Sequence, residues 1–207
     1  VSRPILVVCA VPQELATLRP RDGVERVAVG VGPVEAAEGT ARALAARPYR
    51  AVVNAGIAGG FRGRCTVGDV VVVTREDYVE LGLEDGGTFP LPDGMRLERI
   101  AAAHESLLRP FLDGKIPVIV GRGVTSATVT TTDARATLLA QRYRADVESM
   151  EGFAVLRAAA NAGLPAIEIR GVANYVGDRA TNGWDFAAGA NAAVETTDAL
   201  LDVLLSE

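Results

Sequence analysis

The run from Val147 to Asp178, VESMEGFAVLRAAANAGLPAIEIRGVANYVGD, constrains the fold more than any other part of the chain. A turn delivers Met150 and Glu151 to the start of an Ala-rich helix. A buried strand, Ala166 to Val172, follows and ends abruptly in Asn174 and a polar, Gly-containing loop. A helix-then-strand unit of this kind brings one helix N-terminus and one strand C-terminus to the same edge of a sheet. Open α/β sheets hold their ligands at the carboxyl ends of their strands. A carboxylate in a first helical turn and an amide at a strand end therefore face one small molecule.

Upstream, Ile5 to Val11 is a continuous apolar run and reads as a buried strand. Pro12 breaks it and opens a short helix, because an early helical position does not need the missing N–H. Glu14 thereby falls at a strand-to-helix junction, as Glu151 does. By itself, Glu14 reads as a first-turn acid that complements the helix dipole. A second strand, Arg26 to Val31, runs into Gly30-Val31-Gly32-Pro33 before a helix over Val34 to Ala46. With Glu35 in place of a third glycine it is a poor dinucleotide fingerprint, but it suits a backbone that approaches an anion or polar ligand closely.

Ala51 to Asn54 is a third strand. It leads into Ala55-Gly56-Ile57-Ala58-Gly59-Gly60-Phe61, where three glycines permit positive φ and let a ligand lie against bare backbone. Val70 to Thr74 has the strongest strand signal, and Arg75 to Gly87 then reads as a long surface excursion of the kind that covers a site or meets a partner. Leu97 to Leu112 is expected to be helical, with His104 on its surface. Pro117 to Gly121 is a strand that extends through Val124 to Thr130. Its small hydroxyl residues either wall a flat ring or form an edge strand. Asp133 to Arg142 and Phe186 to Leu205 read as helices. This alternation predicts a largely parallel or mixed sheet with helices on both faces.

Composition excludes several functions. The formal net charge is -5 and no Lys/Arg cluster adjoins an aromatic platform, so no nucleic-acid partner is expected. No apolar run approaches the ~20 residues of a membrane span, so no membrane partner is expected either. VSRPILVVCAVP reads as a strand and not as a signal peptide, which points to the cytoplasm. One histidine and two separated cysteines, Cys9 and Cys65, give no metal site and no staple.

Five segments in order carry a resemblance: Asn54 to Phe61 (NAGIAGGF), Val67 to Val72 (VGDVVV), Leu81 to Asp85 (LGLED), Glu148 to Gly152 (ESMEG) and Arg170 to Asp178 (RGVANYVGD). Across nearly the whole chain they resemble the purine nucleoside phosphorylase and nucleosidase superfamily. The third and fifth segments are similar to its futalosine hydrolase branch. The resemblance implies one nucleosidase domain over residues 1–207, a three-layer α/β/α fold with a central twisted mixed sheet. It also implies a nucleoside as small-molecule substrate, no cofactor, no metal, and a homodimer or higher homo-oligomer.

The resemblance also implies roles. Glu14 matches the acid that holds and deprotonates the water, and Glu151 the acid that grips the ribose hydroxyls, with Met150 packed on the sugar. Asn174 stands where adenine-specific nucleosidases carry an Asp that protonates purine N7. An amide can instead donate to a 6-oxo group, which favours hypoxanthine, though a flipped amide can also pair with adenine. Ile57, Ala58 and Gly59 of the Gly-rich segment, and Thr128 and Val129 of the hydroxyl run, are expected to line the nucleoside site. Arg170 is expected to be a buried partner of an active-site carboxylate. Asp178 is either a substitute acid or a residue that orders its loop. Arg62 and Arg64 leave phosphorolysis as an alternative to hydrolysis. Arg62, Arg75 and the Leu81–Gly87 loop are candidates for binding the acidic carboxyphenyl tail of the substrate.

Overall fold

Alternate residues of the first strand feed two different cores. In β1 (Ile5–Cys9) all five side chains are buried. Ile5, Val7 and Cys9 pack with Leu107 and Phe111 of α2 (Glu105–Leu112) and Leu200, Leu201 and Leu204 of α5 (Phe186–Ser206). Leu6 and Val8 pack on the other face with Val155, Leu156 and Ala159 of α4 (Gly152–Asn161) and Ala36 of α1 (Pro33–Ala46). A period of two along the strand thus produces a sheet covered by helices on both sides. The computed structural model describes residues 3–83, 90–180 and 183–206.

The remaining elements are β2 (Val24–Ala28), β3 (Ala51–Gly60), β4 (Val70–Tyr78), β5 (Ile100–Ala102), β6 (Ile119–Thr125), α3 (Asp133–Tyr143), β7 (Val147–Ser149) and β8 (Ala166–Tyr175). They form one eight-stranded mixed sheet in the order β2-β1-β3-β7-β6-β4-β5, with β8 paired to both β3 and β4. The pairings β3-β8-β4-β6-β7 therefore close back on β3, and the sheet curls around that ring. Strands β1, β3 and β8 are parallel, so their carboxyl ends share one edge. β7 runs antiparallel to the end of β3, with Glu148 opposite Gly59. Its exit at Met150 and Glu151 accordingly arrives beside the second half of β3.

Several sequence expectations are corrected. The strand does not end at Asn54 and its glycines do not use positive φ: β3 continues through Gly60, and none of Gly56, Gly59 and Gly60 has positive φ. These positions are bare because other groups press on them. A Cβ at Gly56 would lie 2.5 Å from Oε1 of Glu14, and one at Gly60 would lie 2.7 Å from Sγ of Cys65. The strand expected over Arg26 to Val31 lies at Val24–Ala28. The helix expected from Leu97 begins only at Glu105, because Ile100–Ala102 pairs antiparallel with Arg75–Asp77 of β4. The exposed His104 caps that helix, its Nδ1 accepting the N–H of Ser106 at 3.3 Å. The expected surface excursion from Arg75 is also corrected, since β4 persists to Tyr78 with Glu76 and Asp77 buried. Of the Leu81–Gly87 loop, residues 84–87 lie outside the described residues. The hydroxyl run leaves the sheet at Thr125, and its strand is interior, between β7 and β4.

Candidate active site

Glu14 lies in the 3-10 turn Pro12–Leu15 that follows β1, where its carboxylate folds back over its own turn. Oε2 accepts the N–H groups of Ala10 at 2.8 Å and Val11 at 3.2 Å, and Oε1 accepts that of Ile57 at 2.9 Å. Three backbone donors, two just past the end of β1 and one within β3, thus hold a carboxylate that is 3% exposed. Burial pushes its proton affinity up, and nearby Arg170 and the N–H donors oppose part of that rise.

Glu151 is the residue on which α4 starts. Its Oε1 accepts the N–H of Gly32 at 3.0 Å, and its Oε2 lies 3.6 Å from Nη1 of Arg170. Gly32 has φ 89 and ψ 165, a region essentially reserved for glycine. The Gly30-Val31-Gly32 backbone does approach an anion closely, and that anion is the protein's own Glu151.

Arg170, in the middle of β8, is fully buried. Its Nε donates to Oε1 of Glu168 at 2.7 Å and its Nη1 to the carbonyl of Ile57 at 3.2 Å. Burial opposes its charge, but Glu168, Glu151 and Glu14 outweigh burial and raise its hold on the proton. The missing side chain at Gly56 makes the meeting possible, since a Cβ there would stand 2.5 Å from Glu14 Oε1 and 2.9 Å from Arg170 Nη1.

Asn174, the penultimate residue of β8, is buried, and its Nδ2 donates to the carbonyl of Tyr175 at 2.9 Å. Its amide lies over Gly59, where a Cβ would be 3.4 Å from Nδ2. Glu14, Glu151, Asn174, Ile57, Ala58, Gly59, Val129 and Met150 all line one cleft of about 750 Å³, a figure that includes its open mouth. That size suits a small-molecule ligand. Of the residues expected to line the nucleoside site, Thr128 does not line it. The residue is exposed, and its carbonyl accepts the hydroxyl of Ser126.

Other expected contributors lie elsewhere. Arg62 and Arg64 border a separate surface depression with Cys65, and Arg62 stacks 4.4 Å from the ring centroid of Tyr175. Arg75 pairs with Asp77 through bonds of 2.9 and 2.8 Å. Asp178 is exposed, and its carboxylate accepts the N–H of Ala180 at 2.9 Å, within its own loop. Among the described residues no group of three or more His, Cys, Asp or Glu is placed to hold a metal ion. No helix among them is long and apolar enough to cross a membrane.

Sequence reasoning missed Val31, Trp184 and Phe186, which wall the mouth of the cleft, and Glu148 and Ser149 beside Met150. Trp184, the one tryptophan of the chain, sits in a polar loop, and that isolation was the available signal. It also missed Glu76 and Glu168, both wholly buried behind the cleft. A glutamate two residues before an arginine, inside the apolar strand AIEIRGVAN, was legible as a buried pair.

Residues 22–206 match the model of the phosphorylase superfamily. The chain is 38% identical to the futalosine hydrolase of Streptomyces coelicolor, over all of this chain and 86% of that protein. Its fold matches that of the futalosine hydrolase of Helicobacter pylori with a TM-score of 0.81 at 16% identity, covering 97% of this chain and 98% of that one. It matches equally the 5'-methylthioadenosine/S-adenosylhomocysteine nucleosidase of the same organism, solved with butyl-thio-DADMe-Immucillin-A, at a TM-score of 0.81 and 15% identity over 98% and 99% of the two chains. The chain belongs to the phosphorylase superfamily and, within it, to the futalosine hydrolase family of enzymes.

Proposed function

We propose that the protein hydrolyses the N-ribosidic bond of futalosine and releases hypoxanthine. One observation carries the reading. Glu14 and Glu151 come from distant parts of the chain to line one cleft, with buried Arg170 beside both and Asn174 on its wall. Leaving of the purine develops positive charge on the ribose ring. Glu14 accepts a proton from the attacking water, a role in which positioned bases contribute roughly 10²–10⁴-fold. Glu151 accepts hydrogen bonds from the ribose hydroxyls, and these charge-assisted bonds strengthen as the ring becomes cationic. Met150 packs against the sugar.

Asn174 reads the base. Its bond to the Tyr175 carbonyl uses one of the two amide hydrogens and orients the group. The second hydrogen is left for the 6-oxo group of hypoxanthine, and the amide oxygen for a protonated N7. A 6-oxopurine spreads leaving-group charge onto its oxygen, so an acid at this position is less needed.

Water is favoured over phosphate as the nucleophile because no Lys or Arg is among the described residues that line the cleft. The test is incubation with futalosine in phosphate-free buffer. Hypoxanthine should appear at a rate that added phosphate does not change. Failure to release it, with inosine or methylthioadenosine cleaved instead, would overturn the reading.

A further inference from the structure

Behind the cleft, Glu76 of β4 and Glu168 of β8 are both 0% exposed. Each has one oxygen satisfied. Glu76 Oε2 accepts the hydroxyl of Thr125 at 2.7 Å, and Glu168 Oε1 accepts Nε of Arg170 at 2.7 Å. The other two oxygens, Glu76 Oε1 and Glu168 Oε2, have no donor. Both carboxyl groups close on the same point. A Cβ on Gly152 would lie 2.5 Å from Glu168 Oε2 and 2.7 Å from Glu76 Cδ. A Cβ on Gly123 would overlap Glu76 Oε1. Two glycines have thus been vacated so that two acids can meet in the core.

Two ionised carboxylates do not share such a space, because like charges this close and this buried repel strongly and leave both bare oxygens unsatisfied. We propose that Glu76 and Glu168 share a single proton, and that this acid–carboxylate pair is the positioning element that holds Arg170 between Glu14 and Glu151. One proton satisfies both orphan oxygens, and it leaves Glu168 with the charge that pairs Arg170. The charged groups facing the pair are Arg170 on β8 and, beyond it, Glu151 at the start of α4 and Glu14 after β1. Thr125 of β6 and Ser149 of β7 contribute hydroxyls, the latter 3.5 Å from Glu168 Oε1. Burial first, and the neighbouring Glu168 second, push the proton affinity of Glu76 well up, in keeping with Glu76 as the protonated partner.

The proton count sets the site. With one shared proton the Glu168–Arg170 pair is neutral and adds no net charge behind Glu14. With Glu168 neutralised, Arg170 loses its Nε anchor and its charge falls more fully on Glu14 and Glu151. The consequence for turnover rests on the nucleosidase reading above, whereas the shared proton does not.

The primary measurement is the infrared carbonyl stretch of a protonated carboxyl in the folded protein at neutral pH. It should be present, shift in D₂O, and vanish in Glu76→Gln. Its absence from the folded wild-type protein overturns the proposal whatever the substrate proves to be. For turnover, Glu76→Ala should lower kcat by about 10-fold, and Glu76→Gln should restore most of that loss, because its amide can donate to Glu168 as the acid does. Glu168→Gln should lower kcat and move the acid limb of the pH–rate profile by on the order of one unit downward, as Arg170 acts more strongly on Glu14. An acid limb unmoved in Glu168→Gln, or no recovery in Glu76→Gln, would leave Arg170 held by something else and sink the positioning role.

Discussion

The backbone N–H of Gly32 donates to Oε1 of Glu151 at 3.0 Å, so the loop before α1 fixes a carboxylate that opens α4. A glycine-rich loop near a nucleoside site is ordinarily assigned to phosphate. Here its amide is occupied by a side chain of the same chain, and the other oxygen of that side chain faces Arg170. Glu151 is thereby held from two sides before any ligand enters.

Gly32→Ala tests that hold. A Cβ at Gly32 would meet nothing within 4 Å, so the cost is purely the backbone conformation, about 1–3 kcal/mol. If the backbone relaxes, the N–H turns away from Glu151. Thermal unfolding should show the loss of stability, and KM for the nucleoside should rise with it. A stable variant with wild-type KM would mean that Glu151 is held without Gly32.

Glu14→Gln should keep the fold, because its amide oxygen can still accept from Ala10 and Val11, and only the Ile57 N–H loses its acceptor. Loss of the proposed base should lower kcat by roughly 10²–10⁴-fold with little change in KM. Steady-state kinetics on futalosine, with circular dichroism as the folding control, reads both. If Glu14 is the base, the same residue should set the acid limb of the pH–rate profile in the wild-type enzyme. Because burial raises its proton affinity, that limb should lie above the ordinary glutamate value of 4.5.

Asn174→Asp exchanges an amide for an acid at the proposed purine contact. Hypoxanthine release should fall, and cleavage of adenine nucleosides such as methylthioadenosine should appear or rise. The ratio of kcat/KM for the two substrates should shift by at least ~10-fold, the equivalent of one good hydrogen bond. Equal loss on both substrates would show that Asn174 does not read the base.

Stability should fall as pH rises through the weakly acidic range. Burial raises the proton affinities of Glu14, Glu76 and Glu148 in the folded state above the ordinary glutamate value of 4.5. Between that value and the raised ones, the folded protein binds more protons than the unfolded chain. Stability is therefore greatest toward the lower end of this window and is lost as pH rises through the folded-state values. Melting temperatures measured at intervals across the window check the sign. Glu76→Gln, which cannot titrate, should flatten the slope.

Gly123→Ala should destabilise strongly for a reason outside the backbone. Its Cβ would overlap Glu76 Oε1, a fully buried group, and overpacking of this kind costs about 1–3 kcal/mol. Denaturant midpoints compared with Gly63→Ala separate this from loss of a glycine in general. A Cβ at Gly63 meets nothing within 4 Å, although φ there is 79.

Local physics made much of the molecule legible in the sequence. The apolar runs of β1 and β8 announce strands buried on both faces, and the Ala-rich α4 announces close helix packing. The polar break after β8 announces a site at strand ends. Glu14, Glu151 and Asn174 stand out because each lies where an element changes type, and such changes are written in neighbouring residues, while their expected roles came from the family resemblance. Tertiary structure decided what depends on contacts between distant segments. That Gly56, Gly123 and Gly152 are glycine for the sake of Glu14, Glu76 and Glu168 follows from three-dimensional closure, as does the orientation of Gly32 toward Glu151. Periodicity reports which face of an element is buried, and it does not report what lies against that face. The exclusion of Thr128, Arg62 and Arg75 from the cleft, and the presence of two acids behind it, were settled only when the sheet curled and brought β4, β6, β7 and β8 around one buried arginine.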